Sequence, residues 1–410
     1  MKKKKDILFL CQFFYPEYVS SATLPFDTAS AYAKAGYSVG AICGYPKEYS
    51  CQKQIPKKEI YQGISIKRIK YLQLERKRPI GRCINYLSFL LAMLFNLFEC
   101  RKYKYIFVYS NPPVLPLLAA LAKKLYRNRI VFVSYDVYPE IGIQSQKIKK
   151  NGLVDKIFRI SNKWIFKSID NVVALSDDMK EMLCKERGLD PEQVFVIPNW
   201  GEDKQNCKKS DVQNSLFSDI PANAFVVSYL GNLGICQDER TMLEVMEQLK
   251  NNKNIHFLIA GHGVKMSKLR EKALNKNLEN VHIYDFLHGK DYEDALEVSD
   301  MCMATLINGM RGLCSPSKVS NYLMAGKPVM MVCEAGIGIA EDILAHNCGY
   351  RIQPGDTGAM RQAILDLTED RHKKQMLGRN SRALFEEKYE KSVCLEKYIV
   401  LVERNKILKQ

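Results

Sequence analysis

The chain has 410 residues, 47% of them hydrophobic and 26% charged, which describes a globular protein with room for two domains of ordinary size. Its thirteen cysteines are scattered without a C-x-x-C pair and without a secretory signal ahead of them, so reduced thiols in a cytoplasmic protein are expected and a zinc site is not. The formal net charge of +16 is uneven, since residues 1–110 hold 19 Lys and Arg against 7 Asp and Glu. The basic runs lack interleaved aromatics and no nucleic-acid-binding motif is present, so no nucleic-acid partner is expected.

In chain order, apolar strand-like runs alternate with helical patterns from end to end, the signature of an α/β fold with doubly wound parallel sheets. The first half predicts strands at 7–11, 38–43, 64–69, 105–109, 130–134, 171–175 and 194–197, with helices at 27–34, 114–125 and 178–186. After the third strand come Arg76, Lys77, Arg78 and Arg82, then the apolar segment INYLSFLLAMLFNLF at 84–98. That segment falls short of the roughly 20 apolar residues a spanning helix needs. Asn85, Ser88, Ala92, Asn96 and Glu99 recur at helical spacing as one narrow stripe of polar or small residues. Such a helix is either buried in its domain or laid in the headgroup layer beside those four cations, and an anionic membrane surface is the expected partner.

Residues 201–223 are polar and weakly periodic. They read as a linker between a domain at 1–200 and a second at 224–385, with 386–410 a helical stretch returning to the first. The second half predicts strands at 225–230, 255–260, 281–284, 301–305 and 329–332, and helices at 239–250, 264–274, 292–298, 316–325 and 360–366.

The stretch GLCSPSKVSNYLMAGKPVM at 312–330 is the most informative. Ser315 suits a helix N-cap, Pro316 the first helical position and Gly326 the C-terminal cap. Lys318 then lies in the first turn, the wrong sign for the helix dipole unless an anion sits over the free N–H groups. The plain alternative is a surface lysine. Two glycine loops follow strand ends in the same half: Gly231, Asn232 and Gly234 in GNLG, and Gly261 and Gly263 in GHG. Glycine there lets backbone approach a ligand, or makes an ordinary tight turn. In the first half, Glu17, Ser20 and Ser21 follow the first strand and could flank a phosphate or sugar. Asp136 and Glu140 follow the 130–134 strand as candidate acid–base groups, or as a helix cap and a first-turn acid. All six histidines lie at 256 or later, and neither G-x-S-x-G nor H-E-x-x-H is present, which counts against hydrolases and metalloenzymes.

Taken in order, FFYPEYVSSATLPFDTASAYAKAGYSVGAIC, SYDVYPE, ALSDDMKEML, VIPNW, VVSYLGNLG, FLIAGHG, VHIYDFLHGKDYEDALEVSD and PSKVSNYLMAGKPV resemble the family 4 retaining glycosyltransferases of the GT-B fold. The likeness covers nearly the full length and is nearest the fucosamine or colanic-acid-type branch of bacterial surface polysaccharide synthesis. It implies two Rossmann-like domains facing a cleft, a nucleotide-sugar co-substrate held by the second and a glycan acceptor by the first. By resemblance, Gly231, Asn232, Gly234, Lys318 and Ser317 face the donor diphosphate, and Gly261 and Gly263 lie near the base. Asn321 takes the ribose-contacting second position of the family's E-x7-E motif, and Leu313 the first. Asn232 and Gln237 stand where many members carry Arg and Lys, and Tyr135 where many carry a histidine beside Asp136.

The resemblance further implies front-face transfer of a hexosyl or N-acetylhexosaminyl group in capsule, O-antigen or exopolysaccharide synthesis. Lys318 would stabilise the leaving group, with Asp136 and Glu140 as further catalytic candidates; no metal or other cofactor is implied. The acceptor would be undecaprenyl-linked, at the cytoplasmic face of the inner membrane. Two rivals stay open: a sugar-nucleotide epimerase, disfavoured by the histidine-free first half, and an idle GT-B scaffold, favoured by the missing glutamates.

Overall fold

A computed structural model describes residues 4–47, 54–74, 79–203, 209 and 212–407. The chain divides into two units, Met1–Asn199 with Gly312–Ser315 and Cys394–Gln410, and Trp200–Arg311 with Pro316–Val393.

The first unit carries strands β1 (Lys5–Leu10), β2 (Val39–Gly44), β3 (Lys58–Tyr61), β4 (Ile64–Ile69), β5 (Tyr103–Tyr109), β6 (Arg129–Val133), β7 (Asn171–Ala174) and β8 (Val194–Val196). Its helices are α1 (Ser20–Lys34), α2 (Pro79–Leu94), α3 (Leu115–Tyr126), α4 (Glu140–Gln144), α5 (Leu153–Ser168) and α6 (Asp177–Arg187). The sheet order is β3-β4-β2-β1-β5-β6-β7-β8, parallel except for the β3–β4 pair. The chain winds outward from β1 through β2 and β4, then resumes at β5 on the other side of β1. That reversal is the switch point where open α/β sheets take ligands. Unbroken apolar runs such as Ile7–Leu10, fully buried, suit a sheet covered on both faces.

The second unit carries β9 (Phe225–Leu230), β10 (Ile255–Ala260), β11 (Val281–Tyr284), β12 (Met301–Thr305), β13 (Val329–Val332) and β14 (Gly349–Ile352). Between and after them run α7 (Glu239–Gln248), α8 (Met266–Asn275), α9 (Lys290–Val298), α10 (Lys318–Met324), α11 (Gly338–Ala345), α12 (Thr357–Glu369) and α13 (Arg371–Leu384). The final helix, α14 (Lys391–Ile407), passes from this unit into the first. The wholly parallel order β11-β10-β9-β12-β13-β14 is the dinucleotide-fold order 3-2-1-4-5-6, with its switch point between β9 and β12. Val227, Tyr229, Phe257, Ile259, Met303 and Met330 form the centre of its apolar core.

Two expectations need correction. The stretch expected as a linker packs into the second unit, with Phe217 and Ile220 buried. There the Lys209 ammonium meets the Ala224 carbonyl at 2.9 Å and the Asp300 carboxylate at 2.6 Å. The return to the first unit begins at Cys394, where Tyr398, Leu401 and Val402 are buried and the Tyr32 hydroxyl donates to the Tyr398 carbonyl. In α2 the polar stripe points inward. Asn85 is buried, its amide accepting from the Leu74 N–H at 2.7 Å and donating to the Leu74 carbonyl at 2.9 Å. Ser88 accepts from the Leu72 N–H at 3.1 Å. Phe89 and Met93 are buried, but Ile80, Leu87, Leu91 and Leu94 face outward. Arg76, Lys77 and Arg78 lie outside the described residues, as does the side chain of Arg82.

Candidate donor site in the second unit

At the carboxyl end of β9, Gly231 turns the chain at φ +125° and donates its N–H to the Ala260 carbonyl at 2.8 Å. The GHG loop lies directly against it. A Cβ on Gly261 would fall 2.0 Å from the Gly231 carbonyl oxygen, and one on Gly263 2.4 Å from that of Leu233. These two glycines are therefore demanded by loop-on-loop packing, a nearer cause than the ligand approach expected of them. Gly234 completes the turn, its N–H donating to the Gln237 side chain at 2.8 Å. At Gly231 the case differs: the Cβ position looks toward the Lys318 side chain, 3.7 Å from Nζ.

Lys318 is the first residue of α10, a helix of seven residues. Its ammonium stands 3.5 Å from the centroid of the Tyr229 ring and donates to the Asn232 carbonyl at 3.3 Å. The Tyr229 hydroxyl donates to that same carbonyl at 2.7 Å. Lys318 keeps some exposed surface, and burial pushes its pKa well below the ordinary lysine range. Among the described residues no carboxylate pairs with it. A desolvated cation beside an aromatic face and lacking a counter-charge is suited to receive an anion. Four residues on, and so on the same helix face, the buried Tyr322 hydroxyl accepts from the Leu230 N–H at 2.9 Å and donates to the Leu230 carbonyl at 3.1 Å. That clamp fixes the strand end from which Gly231 departs.

The helix starts two residues later than expected. Ser317, not Ser315, stands at the N-cap, in helical backbone conformation and without a capping side-chain bond. The reason is that Gly312–Ser315 belongs to the first unit. There the Gly312 N–H donates to Asp178 at 2.7 Å, the Val137 N–H to the Leu313 carbonyl at 2.9 Å, and Cys314 bridges to Asp136. The C-terminal cap is as expected: Gly326 has φ +61°, and the Gly326 and Lys327 N–H groups return to the Leu323 and Tyr322 carbonyls, a Schellman arrangement. Asn321 donates its side-chain amide to the Tyr292 hydroxyl at 3.1 Å.

The first-unit candidates cluster at its own strand ends. The Ser110 hydroxyl, just past β5, accepts from the Tyr135 and Asp136 N–H groups at 2.9 and 3.1 Å, and burial pushes the Asp136 carboxyl up to about 6. A small cavity there is lined in part by Ser110, Ser134, Asp136, Asn162 and Arg187. Glu140 is engaged structurally, its carboxylate forked by the Arg187 guanidinium with contacts of 2.5 and 3.0 Å. Glu17 is buried and accepts from the Phe14 N–H at 3.3 Å, while Ser20 and Ser21 open α1. Sequence reasoning missed Tyr229, Tyr322, Ser110 and Arg187. Only Tyr322 carried a local signal, its spacing of four from Lys318. Among the described residues no three His, Cys, Asp or Glu side chains gather as a metal site.

The family described as "Glycosyltransferase Family 4" matches residues 22–200, and that described as "Glycosyl transferases group 1" matches residues 224–370. A chain of Pseudomonas aeruginosa named "Probable glycosyltransferase WbjE" is 27% identical over 295 residues, 72% of each chain. WcaI of Escherichia coli K12, named for a glycosyl transferase of colanic acid biosynthesis, is 26% identical over 270 residues, 63% of this chain and 65% of its own. Among solved structures, sucrose-phosphate synthase from Thermosynechococcus elongatus matches with TM-score 0.74 and 15% identity, over 99% of this chain and 100% of that one. Anabaena HepE in complex with UDP and glucose matches at 0.70 and 16%, over 98% and 100%. Two sequence families matched in chain order, on two parallel-sheet units of this topology, establish that the chain belongs to the family 4 glycosyltransferases of the GT-B fold.

Proposed function

We propose that this enzyme moves a hexosyl or N-acetylhexosaminyl group, with retention, from a nucleotide-sugar to a lipid-linked glycan in bacterial surface polysaccharide synthesis. One observation carries the donor assignment: the ammonium of Lys318, ringed by Tyr229 and the Asn232 carbonyl and lacking a carboxylate partner among the described residues. It stands at the switch point of a sheet in dinucleotide-fold order. A diphosphate supplies the missing negative charge, and Gly231 leaves room for it beside Nζ.

In the transfer the bond from the anomeric carbon to the diphosphate oxygen breaks, and the acceptor oxygen bonds to that carbon on the same face. The acceptor proton passes to the departing phosphate. Lys318 remains an ammonium and stabilises the charge growing on the leaving group, so the step needs no metal and no histidine. Asp136, protonated at mildly acid pH, serves as a polar contact on the acceptor side; Glu140 holds the Arg187 guanidinium and Glu17 positions backbone. The name of WcaI supports a surface-polysaccharide product, and the outward apolar stripe of α2 supports work at the cytoplasmic face of the inner membrane.

UDP, the nucleotide in the HepE complex, is the first probe. A rise in melting temperature with UDP, lost in Lys318→Ala, together with transfer from a UDP-sugar giving a product of retained anomeric configuration, is the expected result. Turnover of donor without acceptor would indicate an epimerase, and binding without turnover a scaffold.

A further inference from the structure

We propose that α5 is a membrane-contact helix in its own right, lying on an anionic lipid surface with Ile157, Ile160 and Trp164 at the acyl boundary. The proposal rests on the membrane reading above and adds a contact element to it. Leu153, Ile157, Ile160 and Trp164 are 75%, 52%, 70% and 40% exposed. At about 100° per residue they fall within one narrow stripe along the outer face of the helix. A soluble helix ordinarily turns such a stripe inward. Here the inward face is held by Ile165 and by Asp155, both buried, while the apolar stripe is left uncovered.

Charge decides what covers it. Residues 147–167 hold seven Lys and Arg and one acid. That acid, Asp155, is consumed internally, accepting from Arg159 at 2.7 Å and from the Asn151 N–H at 2.7 Å. Lys156, Lys163 and Lys167 are exposed along one flank of the apolar stripe, and among the described residues no carboxylate pairs with them. Lipid phosphates beside acyl chains match an apolar stripe with a cationic flank. A second copy of this chain, at net charge +16, brings like charge to the same place. The helix α3 packs against both α5 and α2, so the uncovered face of α2 belongs to the same helical layer.

The chain has two tryptophans, and Trp200 is buried, so Trp164 reports on its own surroundings. Mixing the full chain with phosphatidylglycerol/phosphatidylethanolamine vesicles should shift its emission to the blue and expose it to quenching by brominated lipid. Phosphatidylcholine vesicles should do neither. Lys156→Glu/Lys163→Glu/Lys167→Glu should weaken sedimentation with the anionic vesicles by roughly a hundredfold, and Ile157→Ser/Ile160→Ser should weaken it at low and high salt alike. Both variants should keep the UDP-dependent thermal shift.

Vesicle binding unchanged by the α5 substitutions but lost in Leu87→Ser/Leu91→Ser would overturn the α5 proposal and leave the membrane reading standing. No binding to anionic vesicles by the full chain would overturn both. Concentration-dependent dimerisation abolished by Ile157→Ser/Ile160→Ser, without any vesicle shift, would overturn it in favour of a second copy.

Discussion

The Lys318 ammonium lies over the Tyr229 ring, 3.5 Å from its centroid, and shares the Asn232 carbonyl with the Tyr229 hydroxyl. An uncompensated cation in that position costs the unliganded fold free energy. Lys318→Met should therefore raise the melting temperature of the unliganded chain while lowering transfer by about 10²–10³-fold. Differential scanning fluorimetry beside a transfer assay checks both directions. Normal turnover in the variant would remove Lys318 from the donor site.

The same ammonium predicts a proton linkage. Its folded pKa lies well below the ordinary value, so between that value and about 10.4 the folded amine holds fewer protons than the unfolded one. Stability of the unliganded chain then rises with pH across the window. Urea unfolding of the unliganded chain at about pH 8.5 and about pH 10 should show a larger gain in stability with pH in the parent than in Lys318→Met.

For Asp136 the sign runs the other way. Burial holds its carboxyl at about 6, above the ordinary value near 3.9, so the folded chain binds more protons and loses stability as pH climbs between the two. The full loss is about 3 kcal/mol. In Asp136→Asn that loss should vanish, so the change in unfolding free energy from about pH 4.5 to about pH 7.5 should be more positive in the variant than in the parent. An equal pH dependence in both proteins would disprove the assignment.

Glu140 and Arg187 make a two-point ion pair in which the side chains are 16% and 7% exposed. Breaking it from one side should cost about 3–5 kcal/mol, so Glu140→Gln should lower the unfolding free energy by that order. Specific activity per folded molecule should hold. A variant that melts normally but fails to turn over would restore Glu140 to the chemistry.

Gly261 offers a test of the loop architecture. With φ +149° and a Cβ position 2.0 Å from the Gly231 carbonyl, Gly261→Ala must displace the neighbouring loop. UDP binding should weaken at least as much as stability, read by the same thermal-shift titration.

Much of this was legible in the chain itself, for identifiable reasons. Buried parallel strands leave continuous apolar runs, and these marked twelve of the fourteen strands given above. The two missed were β3, an edge strand whose Lys58 and Ile60 are exposed, and β14, whose Gly349–Ile352 run is only half-buried. The helix α5 was missed although its apolar residues Leu153, Ile157, Ile160 and Trp164 recur at helical spacing. Polarity at 201–223 suggested a linker since Lys209 and its partner Asp300 stand far apart in sequence. Lys318 was readable from its place in the first turn of a helix, and the glycine loops from their strand-end positions. The fork of Arg187 on Glu140 was not, because 47 residues separate them.

The sequence order of the first unit carries a consequence for biosynthesis. Its apolar interior includes Tyr398, Leu401 and Val402, and the Tyr32 hydroxyl finds its acceptor only at residue 398. A ribosome making this protein releases the opening sheet long before the segment that seals it. Until that segment emerges, the nascent first unit exposes a greasy seam, and holding that seam apart from neighbouring chains is a task for cellular chaperones.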